Sequence, residues 1–179
     1  DLHSFPTRRS SDLPKLGKEV KIPDRRVIIS ILDELRKDMV NQVLLVDEAV
    51  HMLGYHLGTR FRVDVSHAES VESDQNDIDF NAYYDSGLDE NGDISIELYI
   101  VTNPHNDFII LDDNGFDAIA RRCADSIIHE VIHMKQSRSR DFLEVDDMAY
   151  CMVEDEVLES QLYLSNMDEI HAYGYNIAQ

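Results

Sequence analysis

The sequence predicts an α+β fold with a long N-terminal helix, a small antiparallel sheet, and then helices to the end of the chain. Three patterns lead to this prediction. Apolar residues recur every three or four positions after residue 24, apolar and polar residues alternate between residues 60 and 100, and a second helical period begins near residue 116. The length of 179 residues fits one domain, which we place at residues 15–179.

The first helix is predicted to begin after Asp24 and to run for about 30 residues. Apolar residues recur from Ile28 to Leu57 in steps of three and four, which is the spacing of one amphipathic helix. Gly54 or Gly58 would end it.

The sheet is predicted from period-two alternation in three segments. Residues 60–65, 78–84 and 94–100 each alternate apolar with polar or charged side chains, as half-buried strands do. Asn91 and Gly92 favour the positive φ angles of a tight hairpin turn between the last two strands. We therefore expect these strands to be antiparallel.

The second half of the chain is predicted to be mainly helical. Residues 108–111 are expected to form one more short strand, and residues 112–115 supply a capping loop. A helix is expected at about 116–138, a second at about 145–164, and a third from Asp168 to the end of the chain.

The predicted helix at 116–138 contains the sequence H-E-x-x-H at residues 129–133. Histidines four residues apart lie on one helical face, so His129 and His133 can both bind one zinc ion. Glu130, rotated by about 100° around the helix, can act as general base toward a water at the metal. The flanking residues are apolar and would keep bulk water out: Ile127, Ile128, Val131, Ile132 and Met134. This motif predicts zinc-dependent hydrolysis of peptide bonds.

A catalytic zinc site takes three protein ligands, so one more ligand is needed from outside the motif. The residues leave three sets of candidates open: Glu169, the pair Glu156 and Glu159, and His171. Glu169 and His171 are two positions apart on a helix and face different directions, so one metal cannot easily bind both.

The segment from Tyr163 to Tyr173 resembles the Y-L-S-x-x-x-E-I-x-A-Y segment that follows H-E-x-x-H in small zinc-peptidase-like proteins of tailed phages. These in turn look like minimal relatives of the gluzincin peptidases. The resemblance covers about residues 115–178 and implies a zincin-like fold, with Glu169 as the third zinc ligand. His171 departs from the pattern, because an acidic or small residue is common at that position.

Other parts of the predicted mechanism are less specific. Tyr173, Tyr175 and His171 are candidate donors to the oxyanion that forms during hydrolysis. An extended substrate is expected to add to an exposed strand edge, which we place at residues 95–101.

The charge of the chain limits its partners. Thirty-six acidic residues against 16 basic ones give a net charge of −20. Such a field repels nucleic acids and anionic membranes and favours basic peptide substrates. No apolar segment approaches the roughly 20 residues of a membrane span, and no signal-peptide core is present, so we expect a cytoplasmic protein, in the host cell if phage-encoded. Cys123 and Cys151 are expected to be free buried thiols.

Residues 1–14 are expected to be non-native or disordered. The string LHSFPTRRSSDL resembles translated sequencing-adapter debris and has no hydrophobic period.

Two alternatives to a peptidase remain open. The chain can be a phage structural or regulatory interaction module that retains a zincin-like fold, or a zinc amidase that acts on cell-wall peptide. Metal content and turnover of a generic peptide separate the interaction module from an enzyme.

Overall fold

A computed structural model describes residues 20–71, 78–142 and 166–178. The predicted non-native segment at 1–14 and the predicted helix at 145–164 lie outside the described residues. Within those residues the chain has the predicted α+β composition of helices and small sheets.

The predicted single N-terminal helix is wrong. Four shorter elements occupy this stretch: α1 (Arg25–Asp33), α2 (Arg36–Met39), β1 (Val43–Leu45) and α3 (Val46–Phe61). The Asp24 side chain caps α1 by accepting a hydrogen bond from the Arg26 N–H at 2.8 Å.

The interruption lies at Asn41, whose φ of 57° is left-handed and cannot continue a helix. Residues 43–45, which form β1, instead pair with β5 (Phe108–Ile110) as an antiparallel two-stranded ribbon. The apolar spacing nevertheless persists, because Ile28 in α1 and Leu57 in α3 both lie in the same core. Because α1 and α3 both direct apolar residues into one core, the apolar residues of the two helices together show the spacing that is expected of a single helix.

The main sheet has three strands, β2 (Val63–Glu69), β3 (Asp79–Tyr84) and β4 (Ile96–Thr102), in the order β2-β4-β3. β3 and β4 are antiparallel, as predicted. β2 and β4 are parallel, so the sheet is mixed and the prediction of a purely antiparallel sheet is wrong. The chain reaches β3 at one edge before returning through the centre as β4.

The predicted tight hairpin between β3 and β4 is replaced by a short helix, α4 (Ser86–Asn91). Asp85 caps this helix by accepting from the Leu88 N–H at 2.9 Å. Gly92 has the expected positive φ, at 83°, but it ends the helix rather than forming a two-residue turn.

The core lies on one face of the sheet. Alternate residues of the central strand, Ile96, Leu98 and Ile100, are fully buried. The helices α3 and α5 (Asp113–Ser139) pack against the sheet, with α3 on β2 and α5 on β3 and β4. The result is a two-layer arrangement in which the long helix α5 lies beside the edge strand β3.

The helix α5 matches the predicted helix at 116–138 closely. Its first turn is capped by Asp112, which accepts from the Gly115 N–H at 2.7 Å. A last helix, α6 (Met167–Ala178), packs across α5. None of the helices in the described ranges is both long and apolar enough to cross a membrane.

Candidate metal centre

Two helices bring the predicted ligands together. His129 and His133 lie one turn apart on α5, and α6 places Glu169 opposite them. Glu169 is 7% exposed and His129 is also buried. Among the described residues, this is the group of histidine and carboxylate side chains that could hold a metal ion.

The three side chains are separated by nearly equal distances. The two Nε2 atoms of His129 and His133 are 3.0 Å apart. Each Nε2 is 3.2 Å from one carboxylate oxygen of Glu169. Ligand atoms ~2.0–2.2 Å from a tetrahedral zinc ion would lie roughly 3.3 Å or slightly more from one another. The site is therefore close to the size that such an ion requires.

Gln136 fixes the tautomer of His133. The amide Nε2 of Gln136 donates to the carbonyl oxygen of Asp168 at 3.1 Å. The amide Oε1 of Gln136 therefore faces the Nδ1 of His133, 3.0 Å away. An amide oxygen only accepts, and the imidazole therefore carries its proton on Nδ1. In the neutral ring, the Nε2 lone pair then points toward His129 and Glu169, as metal binding requires.

A buried acceptor in the site also remains unsatisfied. Oε2 of Glu169 has no hydrogen-bond partner among the described residues. The Nε2 of His129 lies 3.2 Å from this oxygen and 3.0 Å from the Nε2 of His133. A single proton on His129 cannot satisfy both this oxygen and the His133 lone pair. A cation bound by all three groups would satisfy them together.

Several contacts hold α6 in the position that presents Glu169. Asn166 accepts from the Asp168 N–H at 2.9 Å, at the start of the helix. Arg140, just after α5, forms an ion pair with Asp168 at 2.7 Å. Ala172, one turn after Glu169, is fully buried, so its small side chain permits close approach of the two helices.

The electrostatic environment keeps the first histidine neutral. Burial, reinforced by the neighbouring His133, lowers the pKa of His129, while Glu169 opposes this shift. A neutral imidazole has the lone pair that a metal ligand needs. The donor set of two imidazoles and one carboxylate is suited to zinc.

Glu130 lies beside the ligands on the same helix and is also buried. Burial raises its pKa to about 8, with a further contribution from the negative charge of Glu169. A backbone hydrogen bond from Tyr84, at the end of β3, acts in the opposite direction. Glu130 is therefore close to both Glu169 and the end of the edge strand β3.

The remaining predicted site residues differ in their placement. The Tyr173 ring lies 4.8 Å from the His129 ring and is 44% exposed, so it stays a candidate donor. Tyr175 instead helps to line a groove between α6 and the segment before α1. His171 is exposed and does not belong to the ligand group. Glu156 and Glu159 lie outside the described residues.

Two residues of the site were missed by sequence reasoning. Gln136 follows His133 by three positions, so helical spacing alone places it on the same face and was a usable signal. The contribution of Tyr84 depends on how β3 packs against α5, for which the sequence contains no local signal.

No family model, no curated protein and no solved structure matches this chain. What the site can do therefore follows from its own residues and distances.

Proposed function

We propose that the protein is a zinc metallopeptidase with a zincin-like fold and a gluzincin-type ligand set of His129, His133 and Glu169. One observation carries the proposal: the mutual separations of 3.0, 3.2 and 3.2 Å among the Nε2 atoms of His129 and the partly buried His133 and the buried carboxylate of Glu169. Membership of the phage gluzincin-like group is part of the same proposal. It is supported by the resemblance in residues 163–173.

When bound, zinc would lower the pKa of a water molecule and polarise the scissile carbonyl group. Glu130 would accept a proton from the attacking water and pass it to the leaving amine. Burial raises the pKa of Glu130 to about 8, so this carboxyl holds a proton more strongly than an exposed one and can carry it to the leaving amine. Tyr173, next to His129, is the best-placed candidate to donate a hydrogen bond to the oxyanion.

The substrate is proposed to add to the outer edge of β3. The predicted substrate edge at residues 95–101 is wrong, because β4 lies in the centre of the sheet and pairs on both sides. No further strand among the described residues pairs with β3. The Phe80 N–H bonds to the Asp79 side chain and the Tyr84 N–H to Glu130, so neither points to β4.

Ala82 lies midway between these two residues on the same strand. Alternate residues of an antiparallel strand direct their backbone groups to the same edge, so the N–H and C=O of Ala82 face outward as well. These groups can bind the backbone of an extended peptide near Glu130. The net charge of −20 favours substrates with basic residues.

The first test is metal content. Elemental analysis after dialysis should find one zinc ion per chain in the wild-type protein. The His133→Ala variant should no longer retain zinc in stoichiometric amount. Zinc at about a hundredfold excess over its Kd should also stabilise the wild type by about 2.7 kcal/mol. An unchanged melting temperature with zinc would argue against the site.

The second test separates an enzyme from a zinc-binding interaction module. We expect Glu130→Gln to keep its zinc and to lose at least about a hundredfold in hydrolysis of a quenched fluorescent peptide. Glu90→Gln, which makes the same change at an exposed position, is the matched control. Zinc binding without turnover of a mixed peptide library would favour the interaction module. Cleavage of cell-wall peptide alone would favour the amidase.

A further inference from the structure

The two-stranded ribbon of β1 and β5 exposes an apolar face. Val43 lies directly opposite Ile110, and Leu45 opposite Phe108. These four side chains are between 46% and 68% exposed. The residues between them, Leu44 and Ile109, point to the other face and pack on the core. The ribbon is therefore anchored on one face and apolar on its solvent face.

The edges of this ribbon lack the features that normally prevent strand addition. Residues 40–46 and 108–111 contain no charged residue and no proline, in a chain that is 29% charged. Natural edge strands are usually protected by lysine, proline or a covering element. Each ribbon strand has only one partner strand among the described residues. The outer edge of β5 is thus open to a further strand, whereas on β1 the outward Leu45 N–H already donates to the Glu48 side chain at 3.0 Å.

Acidic side chains surround the apolar face. Asp47 and Glu48 follow β1, Asp107 precedes β5, and Asp112 and Asp113 follow it, all of them exposed. Two basic residues, Arg36 and Lys37, lie just before β1. Arg36 forms ion pairs with Asp33 and Asp113. The rim of the ribbon is therefore negative.

A second copy of this chain is a poor occupant of the surface. Two copies would each carry a net charge of −20 and would bring acidic rims together. The four side chains expose on the order of a few hundred Å², whereas stable interfaces bury at least about 1,200 Å² in total. The acidic rim also disfavours an anionic membrane surface.

We propose that the β1–β5 ribbon binds an extended, uncharged, β-prone segment of a partner protein that has lysine or arginine on both flanks. The segment would add as a third strand beside β5 through backbone hydrogen bonds, and its basic flanks would meet the acidic rim. This surface is separate from the candidate metal centre. The first residue of α5 lies just after β5, and the helix extends ~24 Å from there to His129. The inference does not depend on the proposed peptidase activity.

The test is fluorescence anisotropy with three labelled peptides. The probe is KKVTVTVKK, the charge control is EEVTVTVEE, and the backbone control is the first peptide with alternate residues N-methylated. We expect wild-type protein to bind the probe at least about tenfold more tightly than either control.

Matched variants locate the binding. The double change Val43→Thr and Ile110→Thr keeps β-branched residues in the strands but removes apolar surface, and we expect it to weaken probe binding about tenfold. Ile94→Thr alters an exposed isoleucine elsewhere and should bind like the wild type. If circular dichroism shows that the double variant is unfolded, Ile110→Thr alone replaces it.

Four results would overturn the proposal. The first two are equal binding of all three peptides and no binding of the probe by a monomeric wild type. The third is sedimentation of the wild type as a dimer that the Ile110→Thr change dissociates. The fourth is adsorption of the wild type to neutral lipid vesicles that the double variant abolishes.

Discussion

Two clusters of polar side chains, in which residues of α5 meet a buried carboxylate from another element, differ in how the charge of that carboxylate is balanced. Near the end of the helix, Asp89 is 2% exposed and accepts hydrogen bonds from Arg138 at 2.7 Å and from the Tyr84 hydroxyl at 3.0 Å. Burial raises the pKa of Tyr84 to about 12, so its hydroxyl keeps the proton that it donates. We call these three residues the arginine cluster. Its negative charge is matched by a cation of the chain itself.

The candidate metal centre, less than three turns earlier on α5, has the opposite character. Glu169 is nearly as buried as Asp89, yet it faces two imidazoles, and one of its oxygens lacks a hydrogen bond among the described residues. Burial lowers the pKa of His129, so this ring does not readily supply the missing positive charge. A buried carboxylate with its own arginine stabilises the fold, whereas one that lacks a cation is suited to bind one.

The largest effect is expected in the arginine cluster. Arg138→Met leaves Asp89 buried without its cation, and we expect the free energy of unfolding to fall by roughly 3 kcal/mol or more. Urea unfolding measures this loss. Arg121→Met, an exposed change on the same helix, is the control. A loss below about 1 kcal/mol would show that the two clusters do not differ in this respect.

Glu169→Gln should have a different pattern of effects. The change removes a charged ligand, so we expect zinc affinity to fall about a hundredfold in a chelator competition assay. Without metal, the variant should be at least as stable as the wild type, because an unmatched buried charge has been removed. A marked loss of stability in the metal-free variant would contradict this account of the metal centre.

Gln136 should have a smaller effect on the same metal centre. Gln136→Met removes both the acceptor for His133 and the donor to Asp168, and we expect zinc to bind about tenfold more weakly. Gln136→Glu keeps an acceptor for the Nδ1 proton and should recover most of the affinity. Lys135→Met, at the exposed neighbouring position, is the control. Equal losses in the methionine and glutamate variants would show that the contact with Asp168 matters instead.

The smallest effect is expected at Cys123, a buried ionisable residue of α5 that belongs to neither cluster. Burial raises the pKa of the Cys123 thiol to about 12, so the folded protein keeps it protonated at pH 8. Because an exposed thiol ionises near pH 9.0 and the buried thiol does not, the folded protein loses stability progressively as the pH rises from 9.0 to about 12.

In a Cys151→Ser background, a thiol reagent should label Cys123 in urea but not in the native protein at pH 8. Rapid labelling of the native protein would show that the core around α5 opens easily.

The two halves of the chain also differ in how far sequence patterns predict their structure. α5 was predicted within three residues at its start because Asp112 and the apolar period are local signals. The break at Asn41 was missed because it depends on pairing between β1 and the distant β5. The parallel pairing of β2 with β4 likewise depends on the order of strands, which alternation does not encode.

The same distinction applies to the metal centre. His129, Glu130 and His133 follow from spacing within one helix. The approach of Glu169 depends on the docking of α6, and only the resemblance at residues 163–173 singled it out. The contact of Glu130 with Tyr84 required the sheet topology, so it could not be predicted.

The central claim is that His129, His133 and Glu169 bind one zinc ion. The most direct measurement is an anomalous difference map at the zinc absorption edge from crystals of the zinc-loaded protein. We predict one peak ~2.0–2.2 Å from the Nε2 atoms of both histidines and from a Glu169 carboxylate oxygen. A peak bound instead by Glu156, Glu159 or His171, or no peak at these histidines, would contradict the claim.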